Sequence, residues 1–113
     1  MARAKSVAAR GHRKTKRLAK GYKHARSRRV KAAKEAILHA GQYAFHGRKL
    51  RKRDLRKLWI VRLNAAAREN GLTYKSLIAG LKDKEIKINR KILADIAVSD
   101  PKTFEAVVDK IKK

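Results

Sequence analysis

The chain has 113 residues and carries 33 Lys and Arg against 9 Asp and Glu, a formal net charge of +24. A chain this short forms one domain with at most an arm or tail, and charge of this density repels itself in a compact fold, so the expected partner is a polyanion, RNA or DNA first. Nothing approaches the roughly 18–20 apolar residues of a membrane span, the start MARAKSVAAR lacks the apolar stretch of a secretory signal, the absence of cysteine excludes disulfides and thiolate metal sites, and an aromatic content of 5% argues against a base-stacking sheet.

The charge is unevenly spread. Residues 1–60 hold 21 Lys and Arg against only Glu35 and Asp54, a net of +19, and the remainder holds 12 bases against 7 acids, a net of +5. Apart from Ala and Met1, residues 1–57 offer only Val7, Leu18, Tyr22, Val30, Ile37, Leu38, Tyr43, Phe45, Leu50 and Leu55, too few for an independent core. The reading is an all-α protein. Residues 1–57 form a basic arm, extended or in a long helix and partly disordered without its partner. Residues 58–113 form a small globular α-helical domain.

In chain order, residues 1–24 carry Arg3, Lys5, Arg10, Arg13, Lys14, Lys16, Arg17, Lys20 and Lys23, with Gly11 and Gly21, and are expected to be disordered or a fraying helix in isolation. From Ala25 onward Val30, Ala33, Ile37, Ala40 and Ala44 recur at steps of three and four, a narrow apolar stripe, while Arg26, Arg28, Arg29, Lys31 and Lys34 crowd the other faces. Gly41 and Gly47 weaken this helix by about 1 kcal/mol each relative to Ala, leaving open a kink or an uninterrupted run to Arg68. A second basic cluster follows: Arg48, Lys49, Arg51, Lys52, Arg53, Arg56 and Lys57. Leu55, Leu58, Trp59, Leu63 and Ala66 then mark a wider apolar face that ends at Asn70-Gly71. Thr73 is placed to cap a helix bearing Tyr74, Leu77, Ile78 and Leu81. Asn89 is placed to cap one bearing Ile92, Leu93, Ile96 and Ala97. Asp100-Pro101 starts a last helix with Phe104, Val107, Val108 and Ile111.

The basic side chains are the main chemical signal. Lys and Arg neutralise phosphates and release condensed counterions, and Arg clamps a phosphate with two donors where Lys is a point charge. Tyr22, Tyr43 and Phe45 lie among them and either stack on bases or pack on the protein itself; Trp59 shares a face with Leu55 and Leu63 and is assigned to the core. His12, His24, His39 and His46 form no metal site. His39 and His46 stand about 10 Å apart along a helix, too far to share a metal ion, and no Cys or nearby carboxylate completes a set. His12 and His24 are assigned to phosphate or sugar contacts. The four serines lack a His and acid in any nucleophilic order, and no glycine pattern cradles a phosphate, so no catalytic residue, cofactor or small-molecule substrate is expected. A DNA-bending architectural protein is the alternative class, but the basic segments lack base-reading Asn and Gln and no heptad seam supports an obligate homo-oligomer. A membrane-active cationic helix would need a broader apolar face.

The runs AKGY (19–22), ARSR (25–28), AGQYA (40–44), LWI-R-NAAAR (58–68), GL-Y (71–74) and NRKILAD-A (89–97) occur in an order that resembles the bacterial large-subunit ribosomal protein twenty, the L-twenty family. The likeness covers essentially the whole chain. It implies an N-terminal arm threading through large-subunit ribosomal RNA and a helical domain seated on an RNA junction. It also implies neighbouring ribosomal proteins as partners, early action in subunit assembly, self-repression through the messenger RNA in some bacteria, and a place in a cytoplasmic ribosome; the start shows no organelle transit peptide, so a bacterium, or a plastid-encoded gene, is the expected source. Carried over by position, the arm's RNA contacts fall on the bases among residues 3–34 and 48–57, and those of the domain on Arg62, Asn70, Lys75, Arg90 and Lys91. Asp54-Leu55 departs from the family's pattern, with Asp54 expected to cap a helical segment or to pair with Arg51 or Lys57, and the tail is a few residues short.

Overall fold

The computed structural model describes residues 6–113, so Arg3 and Lys5 lie outside the described residues. It is 81% helical, with no strand among the described residues, as the all-α reading requires. Among the described residues six helices follow in order: α1 Val7–Leu18, α2 Ala25–Arg28, α3 Val30–Glu69, α4 Tyr74–Asp83, α5 Arg90–Ser99 and α6 Pro101–Lys112. Two compact units divide the chain, one ending at Lys49 and the other Leu50–Lys113.

In the first unit the Ser6 hydroxyl accepts the Ala9 N–H at 3.2 Å and starts α1, which carries Lys16 and Arg17 in its last turn, where the helix dipole favours cations. Within the segment read as disordered or a fraying helix in isolation, Val7–Leu18 thus form a capped helix of three turns. After it Gly21 turns with φ +90, and His24 adopts φ +52 and ψ −130, a region that side chains with a Cβ rarely enter. The helix expected to begin at Ala25 does not run through. Arg29 is extended, at φ −91 and ψ 128, which isolates the short α2 and moves the start of α3 to Val30. Of the apolar stripe, Ala33 is fully buried, Val30 and Ile37 are half-buried, and Ala40 and Ala44 are exposed. Among the described residues of this unit Ala33 and Ala19 are the buried ones, and two methyl groups supply little of the roughly 25 cal/mol per Å² that apolar burial contributes.

α3 passes through Gly41 and Gly47 without a break. Every residue from Leu38 to Leu58 is exposed, so Leu55 and Leu58, assigned to the apolar face of the domain, lie outside the core. Burial begins with Trp59, which is half-buried at the margin. The core of the second unit consists of Leu63 and Ala67 from α3, Leu77 and Leu81 from α4, Leu93 and Ala94 from α5, and Phe104 and Val108 from α6. α6 is the shared wall, packed on both α4 and α5. Gly80 lets α4 come close to α6, because a Cβ there would run into the Ile111 side chain.

The helix ends are set by local chemistry. Thr73, Asn89 and Asp100 accept the N–H groups of Ser76, Ile92 and Thr103, as their positions in the sequence indicate. Asp100 also closes α5, whose Ile96 carbonyl accepts its N–H at 2.8 Å. The Thr103 hydroxyl and N–H hold the Asp100 carboxyl below its ordinary value, so the cap is strongest when ionised. At the end of α3 the Leu72 N–H donates to the Ala67 carbonyl and the Gly71 N–H to Arg68, with Gly71 at φ +74: the paired bonds of a left-handed stop. α4 ends in the same way, with Ile86 donating to Leu81 and Glu85 donating to Lys82, but Glu85 now occupies the left-handed position at φ +54. A side chain with a Cβ is strained there by about 1–2 kcal/mol. Glu85→Gly should therefore stabilise the protein by about 0.5–1 kcal/mol after its larger unfolded-state entropy is counted. A rise in the thermal midpoint of a few degrees would show it; a fall would mean that the Glu85 side chain makes a contact of greater value.

Candidate nucleic-acid interface

In the first unit, α1 carries Arg10, His12, Arg13, Lys14, Lys16 and Arg17; the following turn holds Lys20, Tyr22, Lys23 and His24; α2 and the break hold Arg26, Arg28 and Arg29; and the start of α3 holds Lys31 and Lys34. All are exposed except Tyr22, which is half-buried. Arg48 and Lys49 lie further along α3, and Lys49 sits 5.3 Å above the Phe45 ring, a cation–π contact. That contact gives Phe45 a partner within its own helix.

The second unit contributes Arg51, Lys52, Arg53, Arg56, Lys57 and Arg62, all exposed along α3. Lys75 is exposed in the first turn of α4, and Arg90 and Lys91 open α5. Arg90 donates from Nε to the Tyr74 hydroxyl at 2.8 Å, which fixes its fork and explains its half-burial. Asn70 is committed to the fold on two sides: its Nδ2 donates to the Ala66 carbonyl at 2.9 Å, and its own carbonyl accepts from Lys112 Nζ at 2.7 Å. Its Oδ1 and the second Nδ2 hydrogen remain free, so the side chain can still accept from a base or sugar and donate to a phosphate.

Charge is barely compensated within the chain. Among the described residues the ion pairs are His39 with Glu35 at 3.9 Å and Lys57 with Asp54 at 4.0 Å, both exposed. Asp54 thus takes Lys57, one of its two expected partners. Helices α1, α4, α5 and α6 begin without an acid in the first turn, and α5 instead places Arg90 and Lys91 at the positive end of its dipole. That arrangement is unfavourable for an isolated helix and favourable beside an anion.

One feature escaped the residue-by-residue reading. Tyr22, Arg26, Ala32, Glu35, Ala36, His39, Ala40 and Tyr43 line an open groove of about 540 Å³ in the first unit. His39 and Tyr43 lie 6.5 Å apart between ring centroids, at 28°. The i, i+4 ladder Glu35–His39–Tyr43 was visible in the sequence; the placement of Tyr22 and Arg26 against it was not, because it depends on the turn at Gly21 and His24.

Among the described residues no group of three or more His, Cys, Asp or Glu could hold a metal ion, and no helix is long and apolar enough to cross a membrane. The family model described as ribosomal protein L20 matches residues 2–107 of the chain.

Proposed function

We propose, from the premise that this chain belongs to the ribosomal protein L20 family, that it promotes early large-subunit assembly by placing fixed positive charge between RNA segments that must approach each other. Membership itself makes the chain a structural ribosomal protein of the large subunit that binds ribosomal RNA, and the family is not a known enzyme family. The assembly role is carried by one observation: residues 38–58 are exposed throughout and hold seven Lys and Arg against the single acid Asp54. A helix with that much charge and no apolar cover gains nothing from the protein's own core and much from phosphates.

In this reading residues 1–57 are the RNA-binding arm and residues 58–113 the positioning domain. The arm side chains named above meet phosphates and sugars. Arg62, Asn70, Lys75, Arg90 and Lys91 form the surface of the domain that sits on an RNA junction. The arm orders fully as it binds, since helices without tertiary support are marginal in water. The same surface would serve for repression through the protein's own messenger RNA. Neighbouring ribosomal proteins complete the surroundings in a cytoplasmic ribosome, and no second copy of the chain is needed.

The test uses separate fragments and the whole chain. Residues 58–113 should fold alone and bind a junction RNA with a shallow salt dependence. Residues 1–57 should lack stable structure until RNA is added. The whole chain should prefer large-subunit RNA over duplex DNA at fixed salt. With about ten phosphate contacts its log K should fall against log salt with a slope of roughly −7 to −9. A cooperative, fully helical melt of residues 1–57 without RNA would defeat coupled ordering, and a preference for duplex DNA would favour the architectural alternative.

A further inference from the structure

We infer that the groove of the first unit takes a single unstacked guanine of the bound RNA, so that this part of the arm reads a base as well as phosphates. The inference rests on RNA binding by the arm and adds a recognition site to it.

Glu35 is the central observation. It is the only acid among residues 1–49, and it lines the groove together with Arg26, His39 and the two tyrosines. A surface built only for phosphate loses affinity by carrying a carboxylate. An ionised carboxylate accepts hydrogen bonds and donates none, so its ligand must present donors. Guanine presents two adjacent donors on its pairing edge, N1–H and the N2 amine, which a carboxylate can accept side by side. Its O6 and N7 are the acceptors that an arginine fork meets best. Arg26 and Glu35 line one groove without forming an ion pair with each other among the described residues; Glu35 instead meets His39 through one oxygen, in an exposed contact at the long distance of 3.9 Å, which a base presenting two donors can displace.

The walls suit a ring. Tyr43 is 73% exposed, with His39 stacked beside it in the same groove, and Tyr22 lines the groove with them. Ala32, Ala36 and Ala40 repeat every four residues on α3 and leave a floor with no long side chain to fill the space. Tyr22 and Arg26 are brought to the groove by a turn with positive φ at both Gly21 and His24. A histidine held at φ +52 and ψ −130 is costly for the fold, and the strain is accounted for if the turn exists to present these two side chains.

The probes are short single-stranded oligouridines with one central guanine, adenine or inosine, titrated into the full chain at fixed salt and followed by fluorescence anisotropy. The guanine oligomer should bind about tenfold tighter than oligouridine, the size of one good bidentate base contact, and inosine, which lacks the N2 amine, should fall between. Glu35→Gln, at an exposed position where folding is not at risk, should abolish the guanine preference. Tyr43→Ala should weaken the guanine oligomer about tenfold. If the groove bound phosphate alone, Glu35→Gln would tighten every oligomer equally, because it removes a negative charge, and the inference would be overturned. It would also fall if guanine and uridine oligomers bound the native chain alike with a steep salt dependence, a result that leaves RNA binding intact, or if Glu35→Gln changed no RNA affinity and the groove served a protein. Failure of every oligomer and of large-subunit RNA to bind would instead remove the RNA reading beneath it.

Discussion

Phe104→Ala should destabilise the Leu50–Lys113 unit by about 3–5 kcal/mol and leave much of it unfolded at physiological temperature. Phe104 is 1% exposed and is among the largest fully buried side chains. It belongs to α6, the helix that packs on both α4 and α5. A unit of this length has only about 3–10 kcal/mol of stability in total, at 0.05–0.15 kcal/mol per residue. Loss of one aromatic ring from a core of eight buried residues is therefore comparable with the whole margin. Ile92→Ala is the control: Ile92 is 49% exposed on α5, and its truncation should stay near the ±0.5 kcal/mol typical of surface changes. Urea unfolding followed by circular dichroism separates the two. A Phe104→Ala protein within 1 kcal/mol of the native chain would mean that the packing of α6 does not hold the unit together.

The second large effect concerns binding. Replacing Arg48, Lys49, Arg51, Lys52, Arg53, Arg56 and Lys57 by Gln should lower affinity for large-subunit RNA by on the order of 10⁴-fold at physiological salt and flatten the salt slope by about 5–6, if each meets one phosphate. Gln keeps nearly the helix propensity of Lys and Arg, and all seven side chains are exposed, so the fold should be unchanged. Filter binding across a salt series measures both quantities. An unchanged slope would show that this stretch of α3 does not face RNA.

Much of the fold was legible because its signals are local. Thr73, Asn89 and Asp100-Pro101 announce three helix starts through acceptors at the right offset, and Asn70-Gly71 announces a stop. The i, i+3, i+4, i+7 spacing of Leu77 and Leu81, and of Phe104 and Val108, marks residues that are indeed buried. What escaped depends on nonlocal or unsignalled geometry. Nothing in the series Ser27-Arg28-Arg29-Val30, without glycine or proline, foretells the extended Arg29. Glu85 takes a left-handed conformation that composition assigns to glycine. Ala67 proves as fully buried as Leu63 because close helix packing favours a small side chain, whereas Leu55 and Leu58 have the right spacing but lie on the exposed stretch before the core begins. The basic residues could be named from the sequence. The groove could not, because Arg26 and Tyr22 come to line it with Glu35 only through a turn whose dihedral angles no periodicity records.

The exposed stretch of α3 has a consequence for mutational tolerance. At about 100° per residue, Arg51, Lys52, Arg53, Arg56 and Lys57 are spread over about 240° of the helix circumference, leaving the remaining arc to Leu50, Asp54 and Leu58. Cations that point in so many directions cannot all address one groove or one strand. A partner that engages them must lie on more than one side, and no single member then decides the outcome. Loss of one should lower the salt slope by about one and leave its neighbours in place, so this region degrades gradually under substitution. The domain core, in which one aromatic ring matters as much as the whole margin of stability, fails abruptly. The same chain thus combines a redundant part and a brittle one.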